Sequence, residues 1–151
     1  APAVNDWTFP ETARKYEIGG TSNYAGAVAL GESLGLVNEI GIENIEKRVL
    51  EISEYCMDEL EKIGATLITH RDPGHRGGIV IARLYQDLDV DRSILKKLHQ
   101  RKIFIAQRFT DYTGGFRISC TYYNNKEDIN RMIAAMKDLI SEIGYAPDYK
   151  E

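Results

Sequence analysis

The spacing of the apolar residues changes along this chain, and this change constrains the fold more than any other feature. In residues 42–63 apolar side chains recur every third or fourth position, with charged residues between them, as on one face of a helix. Residues 129–143 have the same pattern. Between these segments, short apolar and β-branched runs bounded by Gly, Pro and Asp are typical of strands. The sequence therefore predicts helices that pack on a small sheet.

Four helices are predicted. The first begins near Asn23 and ends at Gly41, and its many small residues predict close packing against another backbone. The second ends at Gly64. A short third helix takes Asp89 as its N-cap, and the last helix begins after Asn125, with acidic residues in its first turn.

Four strands are predicted at residues 65–69, 78–84, 103–107 and 116–121, with a turn at Gly114-Gly115 before the fourth. The order is helix, helix, strand, strand, helix, strand, strand, helix. This order predicts an α/β (α+β) two-layer sandwich, in which a small, mostly antiparallel sheet of about four strands has helices packed on one face.

Three segments are expected along the chain. Residues 1–20, punctuated by two prolines and two glycines, are predicted to be irregular. Residues 21–146 are predicted to form one domain, which is an ordinary size. Residues 147–151 are predicted to be a polar tail that frays.

Composition excludes several classes of function. The chain has 151 residues and a net charge of -4, with basic and acidic residues interspersed, so no nucleic-acid face is expected. No apolar run has the length of a membrane span. The spacing of Cys and His predicts no metal site, and there is no phosphate-binding Gly-Lys-Ser loop. Cys56 and Cys120 lie in apolar patterns and are expected to be buried thiols in a reducing compartment, which predicts a cytoplasmic protein.

Arg117 is the candidate functional residue, because it lies in the apolar, β-prone run Gly114–Asn124. It is either a strand residue with its head in water or a planar fork that binds a carboxylate through two hydrogen bonds. Thr21 also has two interpretations: a helix N-cap, or a hydroxyl that binds a phosphate at a helix start. His70 and His75 flank a polar turn and are interpreted as solvated loop residues.

Two motifs resemble one family. The run Gly20-Thr21-Ser22-Asn23, followed by Ala25–Leu30 and Glu39-Ile40-Gly41, resembles the opening of the C-terminal domain of class V aminotransferases. These enzymes use pyridoxal 5'-phosphate (PLP) and have the type I fold. The run Arg117-Ile118-Ser119 with Tyr123-Asn124 and Glu127-Asp128-Ile129 resembles the terminal signature of the family.

The resemblance implies roles for four residues. Arg117 matches the arginine that binds the α-carboxylate of the amino-acid substrate, and Arg108 resembles a basic position of the lyase and epimerase branch. Thr21, or Gly20 in a shifted alignment, matches the position that reaches the PLP phosphate of the neighbouring subunit. The resemblance also implies a homodimer, no catalytic residue in this chain, and a missing large PLP domain that precedes it. This chain alone is therefore expected to bind no PLP and to be inactive.

One departure from the family concerns sulfur chemistry. Cysteine desulfurases carry a nucleophilic cysteine before the carboxylate-binding arginine, whereas this sequence has none between Ile103 and Phe116. The resemblance therefore favours the aminotransferase, lyase or epimerase branch. Two alternatives stay open: a free-standing α/β module that binds or senses a small molecule, and, more weakly, a desulfurase domain whose cysteine lies elsewhere.

Overall fold

The computed structural model of the chain describes residues 11–13, 23–110 and 113–150. The chain divides into two compact units, Ala1–Leu36 and Val37–Glu151. Within the described ranges, the chain forms four α-helices, α1 (Tyr24–Ile40), α2 (Ile42–Lys62), α3 (Leu88–Gln100) and α4 (Lys126–Ile143), and four strands, β1 (Thr66–Leu67), β2 (Ile79–Arg83), β3 (Ala106–Thr110) and β4 (Thr113–Ser119). The predicted order of elements is confirmed. No helix in these ranges has both the length and the apolar character that a membrane crossing needs.

The four strands form one antiparallel sheet in the order β1-β2-β4-β3. β4 is hydrogen-bonded on both sides, so that Arg117 lies opposite Ile81 on β2 and opposite Ala106 on β3. β2 and β3 are not neighbours, because β4 lies between them. The predicted antiparallel sheet is confirmed.

One face of the sheet carries the core. Val80 and Ala82 of β2 lie opposite Ile118 and Phe116 of β4, and all four side chains are buried. α2 contacts β1 and β2, α3 contacts β3 and β4, and α4 packs on α2 and α3. The helices contribute most of the remaining buried apolar residues, Ile52, Cys56, Met57, Leu60, Ile94, Leu98, Ile129, Met132, Ile133, Met136 and Leu139. The predicted two-layer sandwich, with helices on one face of the sheet, is confirmed.

The ends of the helices follow from local chemistry. Gly41 and Gly64 have φ angles of 87° and 86°, which glycine adopts without strain, and they end α1 and α2 as predicted. Asn125 caps α4: its side chain accepts from Asp128 N at 2.9 Å, and the Asp128 carboxylate accepts from Asn125 N at 3.1 Å. This reciprocal pair is a capping box, so the predicted start of α4 is also confirmed.

Two details of the helices differ from the predictions. Asp89 is not the N-cap of α3, because Asp87 has the extended backbone that an N-cap needs and accepts from Asp89 N at 2.8 Å. α1 has the predicted helical form, but none of its residues is buried among the residues described. Its apolar side chains Tyr24, Val28 and Leu34 are 70%, 68% and 52% exposed. The close packing predicted for α1 is therefore not observed within this part of the chain.

The predicted ends of the last two strands are wrong, because the pair Gly114-Gly115 lies inside β4 and not in a turn. A Cβ atom on Gly115 would lie 2.2 Å from the Ala82 carbonyl oxygen, and one on Gly114 would lie 2.1 Å from the Arg108 carbonyl oxygen. Here the glycines allow close approach of the neighbouring strands. β3 begins and ends three residues later than predicted, whereas β4 begins three residues and ends two residues earlier.

The C-terminal segment, predicted to fray, is attached to the domain. The backbone N–H groups of Asp148 and Tyr149 donate to the Leu84 carbonyl at 3.0 and 3.1 Å. The Thr66 hydroxyl donates to the Tyr149 carbonyl at 2.9 Å, and Gln86 N donates to the Asp148 carboxylate at 2.9 Å. These bonds attach the segment that follows α4 to the domain, so the predicted fraying is wrong for Asp148 and Tyr149.

A buried ionic pair links β2 to α3. The Arg83 guanidinium donates to the carbonyls of Tyr85 and Gln86 at 3.0 and 2.9 Å and lies 4.0 Å from the centroid of the Tyr149 ring. Asp91 is fully buried, and one oxygen accepts from Tyr85 N at 3.2 Å. Its other oxygen lies 3.9 Å from Arg83 Nε and has no hydrogen bond within the described part of the chain. Burial raises the pKa of Asp91 from 3.8 to about 6.

We expect Asp91 to make the free energy of unfolding increase by about 1 kcal/mol as the pH falls from 7 to 5. The pKa of Asp91 is higher in the folded state, so the folded chain takes up a proton in this range before the unfolded chain does. Asp91→Asn keeps an acceptor for Tyr85 N and removes the titration. Urea unfolding at pH 5, 6 and 7 measures the effect, and a wild-type minus variant difference that is the same at all three pH values contradicts it.

Candidate functional site

Arg117 lies on the face of the sheet opposite the core. Its neighbours Phe116 and Ile118 are buried beneath the helices, and the alternation of a strand places Arg117 on the other side. The residue is half-buried, and its Nε atom is buried without a hydrogen-bond partner among the residues described. A buried N–H group without an acceptor is costly. The geometry therefore leaves a donor of Arg117 to be satisfied by a group outside these residues.

Several other arginines of the domain have acidic partners. The buried Arg76 side chain pairs with Glu54 and donates to the Ser53 hydroxyl at 2.5 Å. Arg101 pairs with Asp138 and Glu142 at 3.1 and 3.2 Å. No carboxylate in the described ranges forms such an ion pair with Arg117. Within the described ranges, Arg117 is therefore without an acidic partner.

Arg108 lies on the same face of the sheet as Arg117. Its register partner on β4 is Gly115, two residues before Arg117, and cross-strand partners share a face. On the other side of Gly115, the Arg83 side chain lies 2.6 Å from the position that a Cβ would take. The Arg83 side chain thus occupies the space that a side chain at position 115 would take. The structure thus brings both predicted arginines, Arg117 and Arg108, to one cationic face.

A cavity of about 490 Å³ adjoins Arg117. It forms where β3 begins at Ala106, because the preceding residues 103–105 do not pair with the end of β4, and both segments line the cavity. The polar residues of its lining, besides Arg117, are His99, Lys102, Ser119, Asn124, Asp128 and Arg131. Sites for small molecules commonly have this size and a few polar groups. Arg108 does not line the cavity.

Several polar groups of the cavity are already engaged. A ring nitrogen of His99 bonds to the Ile105 carbonyl at 2.8 Å. The Asp128 carboxylate accepts from the Asn124 side chain and from Asn125 N, and these bonds lower its pKa, so that Asp128 is ionised at neutral pH. Asp128 is thus committed to the cap of α4. The sequence motif includes Asn124 and Asp128, but it did not predict that they line a cavity.

The two cysteines form a buried pair. Cys120 lines the cavity but is only 5% exposed, and Cys56 on α2 is fully buried. A hydrogen bond with Cys120, together with burial, raises the pKa of the Cys56 thiol, which is therefore protonated at neutral pH. The prediction of buried thiols is confirmed. Neither is an exposed nucleophile of the kind that attacks a substrate.

Two other groups of predicted residues need separate mention. Gly20 and Thr21 lie outside the described residues, so their role stays a prediction. His70 and His75 lie on an exposed loop, as predicted, but the structure places them with Asp72. The spacing His-x-Asp-x-x-His is what places these three side chains on one turn.

Comparison with known proteins gives consistent results. The family profile described as "Aminotransferase class-V" matches residues 1–132. The chain is 29% identical to a protein of Halalkalibacterium halodurans named "Probable cysteine desulfurase", covering 93% of this chain and 36% of the relative. It is 31% identical to an uncharacterized aminotransferase of Schizosaccharomyces pombe, covering 83% and 30%. The chain thus spans about a third of the length of these curated relatives.

Solved structures share the fold. An apo cysteine desulfurase from Thermococcus onnurineus matches with a TM-score of 0.76 at 17% identity, over 93% of this chain and 36% of that one. A cystine C-S lyase in complex with cysteine persulfide matches with a TM-score of 0.69 at 23% identity, over 83% and 32%. At these identities, the matches show that the chain has the fold of this region.

We expect Arg117→Met to leave the free energy of unfolding unchanged or to raise it by up to about 1 kcal/mol, because the side chain has no acidic partner among the residues described. The matched control is Arg76→Met, which breaks the bonds to Glu54 and Ser53 and should lower it by about 1–3 kcal/mol. Urea unfolding at pH 7 compares the two. A larger loss for Arg117→Met than for Arg76→Met would mean that Arg117 stabilises the fold.

Proposed function

Because the chain belongs to the class V aminotransferase family, we propose that it is the small C-terminal domain of a PLP-dependent enzyme. This enzyme acts on an amino acid, in the aminotransferase, lyase or epimerase branch of the family. The match over residues 1–132 and the shared fold support the assignment. The remainder of the enzyme, in this proposal, is a large domain that carries the PLP site, and the enzyme is a homodimer.

Arg117 is the residue that binds the α-carboxylate of the substrate. The observation that carries this role is the buried Arg117 Nε without a hydrogen-bond partner among the residues described. A guanidinium fork binds a carboxylate through two parallel hydrogen bonds, and one of these would satisfy Nε. Since Arg117 stands on a strand that is paired on both sides, its base is rigid. A carboxylate held in this way is fixed in orientation, which is a large part of catalysis in such enzymes.

The described residues fit the substrate better than the cofactor. PLP, when bound, supplies the electron sink for bond cleavage at the substrate Cα. The orphan donor of Arg117 suits a planar carboxylate, whereas the hydroxyl and amide that would reach a phosphate belong to Thr21 and Gly20. In the proposal, these two residues contribute to the phosphate site of the neighbouring subunit. Arg108, on the same face as Arg117, is a second cation that can contact the substrate.

Sulfur transfer is a less favoured activity. It is a candidate because relatives and similar structures are named as cysteine desulfurases. However, the sequence has no cysteine between Ile103 and Phe116. Cys120 follows Arg117, is buried, and forms a pair with Cys56. A reaction that needs an exposed thiolate therefore has no suitable group in this part of the chain.

The role of Arg117 is tested in the complete enzyme. We expect Arg117→Ala to lower kcat/KM by roughly 100-fold, because charge-assisted hydrogen bonds to the carboxylate are lost. The enzyme is first screened with L-alanine, L-cysteine and L-aspartate, using the change in the absorption of bound PLP, and steady-state kinetics follow with the best of them. Arg117→Lys should recover part of the loss, since it keeps the charge but not the fork.

The control for this experiment is Arg92→Ala. Arg92 is exposed on α3 and pairs only with Asp89 three residues earlier, at 2.8 Å, in the described ranges. Its removal should change neither KM nor kcat, because surface pairs of this kind contribute little. If Arg117→Ala leaves both constants at the wild-type values while folding normally, the carboxylate role is wrong.

The 151-residue chain alone should not hold PLP covalently. We expect that, after mixing with PLP, reduction with borohydride and dialysis, intact mass spectrometry shows no stoichiometric adduct on a lysine. The reason is that the resemblance assigns the PLP-bearing lysine to the large domain. A single adduct at one lysine in nearly all molecules would contradict the proposal that the PLP-bearing lysine lies in the large domain.

A further inference from the structure

The loop between β1 and β2 brings three metal-binding groups together. His70, Asp72 and His75 each offer one ligand atom, and these atoms all lie within 4.8 Å of one another. The two imidazole rings are 5.3 Å apart, measured between centroids. All three residues are exposed, so an ion in solution has direct access to them. This cluster is separate from Arg117 and from the residues that line its cavity.

The loop is braced at two points against α2. Arg71 pairs with Glu54 and Asp58 at 2.5 and 2.7 Å and with Glu61 at 2.6 Å. Arg76, whose side chain is 4% exposed, pairs with Glu54 and also donates to the Arg71 carbonyl at 3.0 Å. These arginines stand immediately beside the three candidate ligands in the sequence. The loop is thus held in shape by bonds that the candidate ligands do not make.

The same ion pairs also balance the positive charge beside the cluster. Two guanidinium groups so close to the cluster would repel a cation. They are paired with the three carboxylates of Glu54, Asp58 and Glu61, which more than balance their charge. The net charge around Asp72 therefore does not repel a cation.

The Asp72 carboxylate has the orientation and the charge that a metal ligand needs. One carboxylate oxygen accepts from Gly74 N at 2.9 Å, within the short 3-10 turn Pro73–His75, and the other lies 3.0 Å from His75 Nδ1. The bond from Gly74 N, followed by that with His75, lowers the pKa of Asp72, so the carboxylate is charged at neutral pH. Asp72 N also bonds to His70 Nδ1 at 3.1 Å, which fixes the position of that ring. One oxygen is thus used to orient the carboxylate, and the other contacts the His75 imidazole.

We propose that His70, Asp72 and His75 bind one divalent transition-metal cation of the Zn²⁺, Ni²⁺ or Cu²⁺ class. Imidazole nitrogens suit these ions, whereas Mg²⁺ and Ca²⁺ prefer oxygen ligands. Ligands of a tetrahedral Zn²⁺ ion lie about 3.4 Å apart, given bonds of about 2.1 Å. Exposed side chains on a braced loop reach this spacing by small rotations. Water completes the coordination, as in zinc sites with three protein ligands.

Isothermal titration of the 151-residue chain with ZnCl₂ tests the site. We expect saturable binding of one ion per chain, reversed by EDTA, and no heat of specific binding with MgCl₂. His70→Ala and His75→Ala should each weaken binding at least tenfold. Asp72→Asn keeps an oxygen for Gly74 N but loses the charge, and it should also weaken binding. The control is His99→Ala, which removes the one remaining histidine and should retain the affinity of the wild type.

Electron paramagnetic resonance with one equivalent of Cu²⁺ identifies the ligands directly. The wild type should show coupling to two imidazole nitrogens, and His75→Ala should show coupling to one. Circular dichroism confirms that each variant is folded, which we expect because the substituted side chains are exposed. The proposal is overturned if Zn²⁺ binding does not saturate, or if affinity and copper coupling survive substitution of both His70 and His75.

Discussion

The alternation of side chains along β4 is the constraint on which the rest of the domain depends. β4 is paired with β2 and β3, and its residues Phe116 and Ile118 are buried against the helices. A register slip of one residue would move both into solvent and drive Arg117 into the core, at a high cost. The apolar core therefore fixes the side of the sheet on which Arg117 stands. The register of β4 therefore determines both the packing of the core and the position of the candidate site.

The glycines of β4 are the second part of this arrangement. Gly115 lies between β2 and β3 at a place where the Ala82 carbonyl and the Arg83 side chain leave no room for a Cβ atom. The Arg83 side chain lies 2.6 Å from that Cβ position, and it also contacts the Tyr149 ring and approaches the buried Asp91. The absence of a side chain at Gly115 therefore makes room for Arg83 on this face of the sheet.

The sequence predicted the fold best where burial follows a single period. α2 and α4 each bury one continuous stripe, and their ends at Gly64 and Asn125 follow from a positive φ and a capping box. The ends of β3 and β4 were wrong, because Gly114-Gly115 resembles a turn locally and only the neighbouring strands show why glycine is needed. The attachment of Tyr149 was missed for a similar reason: its partners, Thr66, Arg83 and Leu84, are distant in the sequence.

Site prediction had the same limits. Arg117 could be identified from an isolated charge in an apolar strand together with its motif, and the structure adds the orphan Nε and the adjacent cavity. The cavity was not predictable, because it forms where two segments fail to pair. The grouping of His70 and Asp72 depended on a turn whose shape is set by the pairing of Arg71 and Arg76 with α2. Spacing alone does not reveal bracing by another element.

A comparison of Arg117 with Arg76 and Arg83 supports the proposed role of Arg117. The buried Arg76 side chain has acceptors for its donors, and the buried Arg83 bonds to two carbonyls. The Arg83 Nε is also buried without a hydrogen-bond partner among the residues described, but it lies 3.9 Å from the Asp91 carboxylate. In both cases the fold places a carboxylate near the guanidinium, because burying an unpaired charge is costly. Arg117 stands on the most constrained strand of the sheet, yet its buried Nε lacks an acceptor among the residues described. A substrate carboxylate would give Arg117 the anionic partner that Glu54 gives Arg76 and that Asp91 gives Arg83.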